Sequence, residues 1–369
     1  MNPTAPGPRE PGSIDRTIVR RGTLTAVAIL LTFGGLTGCT PQAPSSGQAN
    51  DSAASSTIAA APNRGARPLR MGMMPKLVGI SYFKACERGA REAAAELGIE
   101  LDYDGPTVDR VEDQVRMIDR WIAQGYDIIA VAPNDPEVIA PALRRAHAEG
   151  VVVLTWDADA NPQASQRAVF VNQAPVEAIG RALVDVMAEG IGGEGKVLFV
   201  TGSQNSPNQA AWMQAMRRYA AEQHPGLLLL SEPLVSDEDQ AKAVQLTRSA
   251  LAAHPDLAGV WGITSVALPG AAKAVRDAGK SGQVVVTGLS QPQSMAEYVR
   301  DGTVERFVLW NPVDLGYLTV QVAQRLATGE LVPGAQPMGR LGEIEVGEGE
   351  VLLGPPIVFD RENIEQYDF

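Results

Sequence analysis

Several apolar runs in the chain end abruptly in side chains capable of polar chemistry. "LRMGMM" leads into Pro75-Lys76, and "VVVLTW" ends in Trp156-Asp157. "DIIAVAP" is followed by "NDP", which holds Asp135, and "KVLFVT" by "GSQNSPNQ", which holds Asn208 and Gln209. Later runs end at "ITS" with Ser265, "GLSQP" with Ser290 and "LWNP" with Asn311. The set comprises one ammonium, carboxylates, neutral amides, hydroxyls and rings. A carboxylate accepts hydrogen bonds from two adjacent hydroxyls, and an amide both donates and accepts. An aromatic ring covers an apolar C–H face. Tyr82 and Phe83, which open the segment after Lys76, can serve the same end. Such a set suits a polyhydroxylated ligand.

The chemistry of an enzyme is harder to find. No G-x-G-x-x-G follows the first strand, and there is no Walker lysine or G-x-S-x-G elbow. The three histidines, His147, His224 and His254, lie far apart in sequence without partners at ligand spacing. No metal site or histidine-based triad is expected. Asp157 and Asp159 sit close in a loop, a spacing that does not ensure convergence. The chain has 43 acidic against 31 basic residues and no basic stretch beyond the extreme N-terminus, which argues against nucleic acid as a partner.

Parallel β-sheets flanked by helices would position these side chains. From Pro68 onward short apolar runs alternate with amphipathic segments: helices over about 80–97, 110–124 and 136–149, then from about 175, 209 and 239. "LLLLSEPL" and "LAGVWGI" read as further strands. That alternation predicts doubly wound α/β domains, and 369 residues suit about two of them. "DIIAVAP…PALRRAHAEGVVVLTW" and "LAGVWGI…LPGAAKAVRDAGKSGQVVVTGL" share one plan of strand, helix and strand. In such sheets ligands bind beyond the carboxyl ends of the strands, where the polar residues gather. Turn chemistry alone accounts for an Asn, Asp, Ser or Pro at any one strand end, but less well for Lys76, Trp156 or Trp310.

The N-terminus reads as an export signal. Arg20-Arg21 precede an apolar run of about 13 residues, shorter than the roughly 20 needed to span a bilayer. The run ends in "LTGC", which resembles a bacterial lipobox with Cys39 as the acylated residue. Residues 1–38 are the expected signal peptide, and both Sec and twin-arginine export stay open. Residues 39–67, rich in Pro, Ser, Ala and Gly, are the expected disordered tether. Cys86 then remains as the other cysteine, expected as a small core residue of a helix.

"PKLVGISYFKACERGAREAAAELG", "YDGPT", "VVVLTWDAD", "ALPGAAKAV", "LWNPVDLGYLT" and "VFDRENIEQYDF" resemble the type I periplasmic sugar-binding proteins of ABC importers. The likeness covers about Leu69–Phe369 and is nearest the rhamnose-binding and autoinducer-2-binding branch. It implies two α/β lobes, 68–172 plus 312–342 and 173–311 plus 343–369, joined by three crossovers and closing like a hinge. It implies ligand contacts from Lys76, Asp157 and Asn208-Gln209 ahead of Trp212, and backbone contacts from Ile263 to Ser265. The autoinducer-2 branch carries Asp-Gln at 208–209, Pro-Asp-Ala at 263–265 and "LWD" at the position of "LWN". These departures favour rhamnose or another deoxy sugar over autoinducer-2.

The expected protein is thus a lipid-anchored receptor on the outer face of the cell membrane. It would bind a monosaccharide, use no cofactor, and deliver its ligand to a permease and ATPase. Autoinducer-2 reception, or sugar sensing for chemotaxis or a sensor kinase, is the alternative. The expected contacts are Lys76, Tyr82, Phe83, Asp135, Trp156, Asp157, Asn208, Gln209, Ser265, Ser290 and Asn311. For Trp156, sugar contact and core packing remain equally open. Removing Asp157 is expected to cost affinity while leaving ligand-free stability unchanged or higher.

Overall fold

Apolar strands flanked by amphipathic helices assemble here into two main, mostly parallel sheets. The computed structural model describes residues 67–369. The first series is β1 (Arg70–Met74), α1 (Ser81–Leu97), β2 (Glu100–Tyr103), α2 (Val111–Ala123), β3 (Ile128–Val131), α3 (Pro136–Ala148), β4 (Val152–Trp156), α4 (Pro162–Ser165) and β5 (Phe170–Asn172). The second begins with α5 (Val176–Ile191), β6 (Gly195–Thr201), α6 (Pro207–Gln223), β7 (Leu227–Leu229), β8 (Leu234–Val235) and α7 (Gln240–Ala253). It continues through β9 (Leu257–Gly262), α8 (Ala267–Asp277), β10 (Val285–Gly288), α9 (Pro292–Arg300) and β11 (Phe307–Leu309). The chain ends with α10 (Pro312–Thr328), β12 (Gly334–Pro337), β13 (Glu343–Val346), β14 (Glu350–Leu352) and β15 (Ile357–Phe359). The expected signal peptide, Cys39 and the tether short of Arg67 lie outside the described residues. Arg67, assigned to the tether, instead grips Asp127 with two hydrogen bonds of 2.7 and 2.8 Å.

The first sheet has the order β12-β13-β14-β5-β4-β3-β1-β2, and the second β10-β9-β6-β7, with β8 also on β6. β11 and β15 pair antiparallel, and a bridge between Leu289 and Val308 sets β11 beside β10. Two sequence expectations need correction. β14 pairs parallel with β5 and β13 antiparallel with β14, so the first sheet runs to Leu352, past the expected boundary at 342. The free edge of β5 offers unpaired backbone groups, and β14 satisfies them. "LLLLSEPL" splits into β7 and β8, both parallel to β6, with Pro233 in the gap, where no ladder bond is required of it.

Helix α10 returns from the second series to lie against α1. Gly316 makes the crossing possible, since a Cβ there would sit 1.9 Å from the Cys86 carbonyl oxygen. Cys86 is fully buried and unpaired, a small residue in the α1 face of the core. β1, β3 and β4 run parallel, as do β6, β9 and β10, so each set delivers its carboxyl ends to one side.

Candidate ligand-binding cleft

Asp157 stands one residue beyond β4, at φ +62°. Asp tolerates this left-handed conformation better than most residues, and the sharp turn lifts its carboxylate off the strand line. Its amide still bonds the Val171 carbonyl at 3.1 Å, so the turn is tied to β5. Tyr82, on the first turn of α1, donates its hydroxyl to Asp157 Oδ1 at 2.8 Å, and Trp310 Nε1 donates to Tyr82 Oη at 2.8 Å. Lys76, two residues beyond β1, places Nζ 3.6 Å from Asp157 Oδ2. Both members of this pair are buried. Burial pushes the Asp157 carboxyl above its ordinary range, while Lys76, Tyr82 and Asn208 hold it down. Burial pushes the Lys76 ammonium below its usual value, and the Asp157 charge opposes that. The Tyr82 hydroxyl, raised by burial and then by Asp157, keeps its proton and acts as a donor.

The facing wall comes from the end of the β6–α6 loop and the first turn of α6. Lys76 Nζ donates to Ser206 Oγ at 2.7 Å and to Asn208 Oδ1 at 2.6 Å. Asn208 Nδ2 reaches the Asp157 carbonyl at 3.1 Å and Oδ2 at 3.3 Å. The Gln209 side chain faces two ways. Its Oε1 accepts from Thr201 Oγ1 and from the Gly202 and Ser203 amides at 2.6, 3.0 and 3.1 Å. Its Nε2 donates to Glu238 Oε1 at 2.8 Å.

These groups line a cavity with about 430 Å³ of empty space, open mouth included. Rings and aliphatic side chains close the rest of it. Trp310 meets Tyr82 edge-on at 6.1 Å and Trp212 at 5.6 Å, beside Leu289, Leu309 and Ile263. The cavity therefore combines a charged, hydrogen-bonding side with a substantial apolar one.

Of the residues singled out in the sequence, the fold brings Lys76, Tyr82, Phe83, Asp157, Asn208, Gln209 and Ser265 to this cavity. It does not bring the other four. Trp156 is fully buried, its indole donating to the Met74 carbonyl at 3.2 Å and packing edge-on against Phe83, so the open choice resolves to the core. Asp135 and Asn311 cap helices. Asp135 Oδ1 accepts from the amides of Glu137 and Val138 at 2.9 and 3.0 Å, and Asn311 Oδ1 from those of Val313 and Asp314 at 3.0 and 3.3 Å. A polar residue followed by Pro at a strand end is equally the signature of a helix N-cap, and here that use prevails. Ser290 is buried and bonds the Ser265 carbonyl at 3.3 Å, fastening the end of β10 to that of β9. Asp159 is also accounted for, by an ion pair with Arg167 at 2.5 Å.

Sequence reasoning missed Glu238. The stretch "VSDEDQ" reads as a solvated turn before α7, yet Glu238 lines the cavity. Nothing in its composition marks it, because its position depends on β8 pairing with β6. Trp310 was marked only as unexplained by turn chemistry, and its indole now proves to hold the Tyr82 hydroxyl. The contacts of Asp157 argue against its being dispensable to the ligand-free fold. Its carboxylate has three side-chain partners, and its removal would leave Lys76 without its counter-charge and Tyr82 without an acceptor.

The model of the family described as periplasmic binding protein domain matches residues 71–331. The chain is 26% identical over 277 residues to a D-ribose/D-allose-binding protein of Pseudomonas aeruginosa, covering 71% of this chain and 83% of the relative. It is similar to an ABC transporter solute binding protein from Clostridium phytofermentans with bound L-rhamnose, at 29% identity and a TM-score of 0.77, covering 82% of this chain and 99% of that one. LsrB from Clostridium saccharobutylicum in complex with AI-2 matches at 26% identity and the same TM-score of 0.77, covering 82% of this chain and 100% of that one. With most of its length matched and the two-sheet fold shared, the chain belongs to the periplasmic binding protein family, type I.

Proposed function

We propose that the chain is the substrate-binding component of an ABC sugar importer, capturing a neutral monosaccharide between its two sheets and handing it to a membrane permease. The observation that carries this reading is the Lys76–Asp157–Asn208 cluster, with its charged pair buried. It joins strand-end groups of both sheets across one cavity, next to an apolar wall of Trp310, Leu289 and Leu309. The cluster suits adjacent hydroxyls, and the apolar wall suits a methyl group or the C–H face of a ring. L-Rhamnose, a methyl-bearing deoxy sugar, matches both. The chemistry is that of capture and release, since a charge-paired lysine and amides engaged with Asp157, Thr201 and Glu238 supply no activated nucleophile.

The decisive experiment is calorimetry of the exported protein with L-rhamnose, D-ribose, D-allose and AI-2. L-Rhamnose is expected to bind most tightly. No binding by any of the sugars would overturn the reading, and a clear preference for AI-2 would replace sugar import with signal reception.

Export and anchoring belong to the same proposal. The "LTGC" ending of the N-terminal apolar run supports acylation of Cys39. The variant Cys39→Ser is expected to leave the membrane fraction, and its full retention there would remove the anchor from the proposal.

A further inference from the structure

We propose that Glu238 is a ligand-contacting, specificity-determining residue whose Oε2 accepts a hydrogen bond from a hydroxyl of a neutral sugar and whose charge turns away anionic sugars. The proposal rests on the cleft being a sugar site. Glu238 lies in the turn between β8 and α7, and its placement is tightly determined. Its amide donates to the Gly202 carbonyl at 3.1 Å, and its Oε1 accepts from Gln209 Nε2 at 2.8 Å. The other oxygen, Oε2, is shut off from solvent and has no hydrogen-bond partner. Yet the residue borders both the central cavity and a neighbouring one of about 280 Å³, which it shares with Lys76, Gln209 and Phe83. A carboxylate oxygen left in this state is costly, and a donor from the cavity relieves the cost.

Three further features show that the chain holds the carboxylate in place. Asp237 and Glu238 both adopt φ +54°, a left-handed conformation that side-chain-bearing residues seldom take, least of all in succession. Ser236 anchors the turn through its amide and hydroxyl, which both reach the Thr201 carbonyl, at 2.9 and 3.0 Å. Gly202 makes room for the side chain, since a Cβ at that position would lie 1.9 Å from Glu238 Oε1.

The charges around Glu238 define the ligand class. Burial pushes its carboxyl up and Asp109 adds to the shift, while Gln209, Lys76 and the Thr264 hydroxyl hold it down. The Thr264 hydroxyl does so without closing a hydrogen bond of ordinary geometry to Oε2. Asp157 and Glu238 thus set two carboxylates against the one ammonium of Lys76 around the same cavity. A ligand bearing its own negative charge meets net repulsion, whereas one offering hydroxyl donors meets two acceptors.

The test is calorimetry of wild type, Glu238→Gln and Gly202→Ala with L-rhamnose, D-ribose and D-glucuronate. Glu238→Gln keeps the shape and removes the charge. Gly202→Ala keeps Glu238 and pushes its flexible end aside. Both variants are expected to lose at least about tenfold in affinity for whichever neutral sugar wild type binds. D-Glucuronate is expected not to bind wild type. Unchanged affinity in Glu238→Gln, or D-glucuronate bound as tightly as the neutral sugar, would overturn the inference while leaving the receptor reading intact. If wild type binds neither neutral sugar, the receptor reading fails first and takes the inference with it. Gly202→Ala guards against a loss caused by the amide introduced at position 238.

Discussion

The two walls of the cleft are built differently. The first-sheet wall presents its charges just beyond strand ends, with Lys76 after β1 and Asp157 after β4. Those charges are buried together and locked to Tyr82 and, through it, to Trp310. The second-sheet wall holds no ion pair of its own among the groups that line the cavity. Its Asn208 and Gln209 sit on the first turn of α6, its Ser265 precedes α8, and its Glu238 hangs from a strained turn. Side chains of the first wall support one another, so changing one disturbs the rest. Those of the second draw on backbone groups as well as on side chains: the Gly202 and Ser203 amides hold Gln209 beside Thr201 and Glu238, and the Asp157 carbonyl holds Asn208 beside Lys76 and Ser206. On this contrast the first wall is expected to supply affinity, and the second to set ligand preference. The departures from the autoinducer-2 pattern at 208 and 263–265 all fall on the second wall.

The largest expected effect comes from breaking the first wall. Asp157→Ala is expected to weaken sugar binding about 100-fold or more, through loss of charge-assisted bonds of about 1.5–3 kcal/mol each. It is also expected to lower ligand-free stability by about 3 kcal/mol, because it strands a buried ammonium and a buried hydroxyl. Calorimetry and denaturant unfolding measure the two. Wild-type stability in this variant would show that the first wall is no more interdependent than the second.

Asn208→Asp probes the second wall. It turns a donor 3.3 Å from Asp157 Oδ2 into a second carboxylate, and two such groups at that distance resist joint ionisation. A loss of about tenfold in affinity for a neutral sugar is expected at neutral pH, with only a small change in unfolding free energy. The loss should shrink as pH falls through the raised range of the pair, above that of an ordinary carboxylate, where the two share a proton. A stability loss as large as that of Asp157→Ala would erase the distinction between the walls.

The smallest effect sharpens the reading of the strained turn. Burial raises the Glu238 carboxyl above its unfolded value. The ligand-free fold therefore bears no ionisation cost from it below the ordinary carboxylate range, and a growing cost as pH rises through the raised value. Glu238→Gln, measured without sugar, is expected to melt about 2 °C higher than wild type at pH 7 and no higher near about pH 4. A lower melting temperature at pH 7 would mean that the ionised carboxylate supports the fold.

The alternation of strand and helix was legible because burial on both faces demands apolar strands, and because capped amphipathic helices announce their ends. The strand-end rule then located the cleft. Lys76 and Asp157 stood out, since a charged residue just beyond an apolar strand has few structural uses. The same rule misled at Asp135 and Asn311. Asp or Asn before Pro is chemically apt both for ligand binding and for capping a helix, and sequence alone does not separate the two. Trp156 is the last residue of β4, and Trp310 is the first beyond β11. One indole is spent on the Met74 carbonyl inside the core, and the other on the Tyr82 hydroxyl at the cavity.

Taken alone, the sequence determined the α/β plan, the side of the sheets on which polar groups collect and the chemical character of the first wall. These are local properties, set by periodicity and by the residue that follows each strand. Only the tertiary structure decided that β13 and β14 extend the first sheet, because that choice turns on which free edge lies within reach of distant residues. It alone decided that Glu238 is a cavity residue. The pairing of β8 with β6 carries an ordinary-looking turn beneath Gly202, and a contact between residues 36 positions apart leaves no periodic trace in either segment.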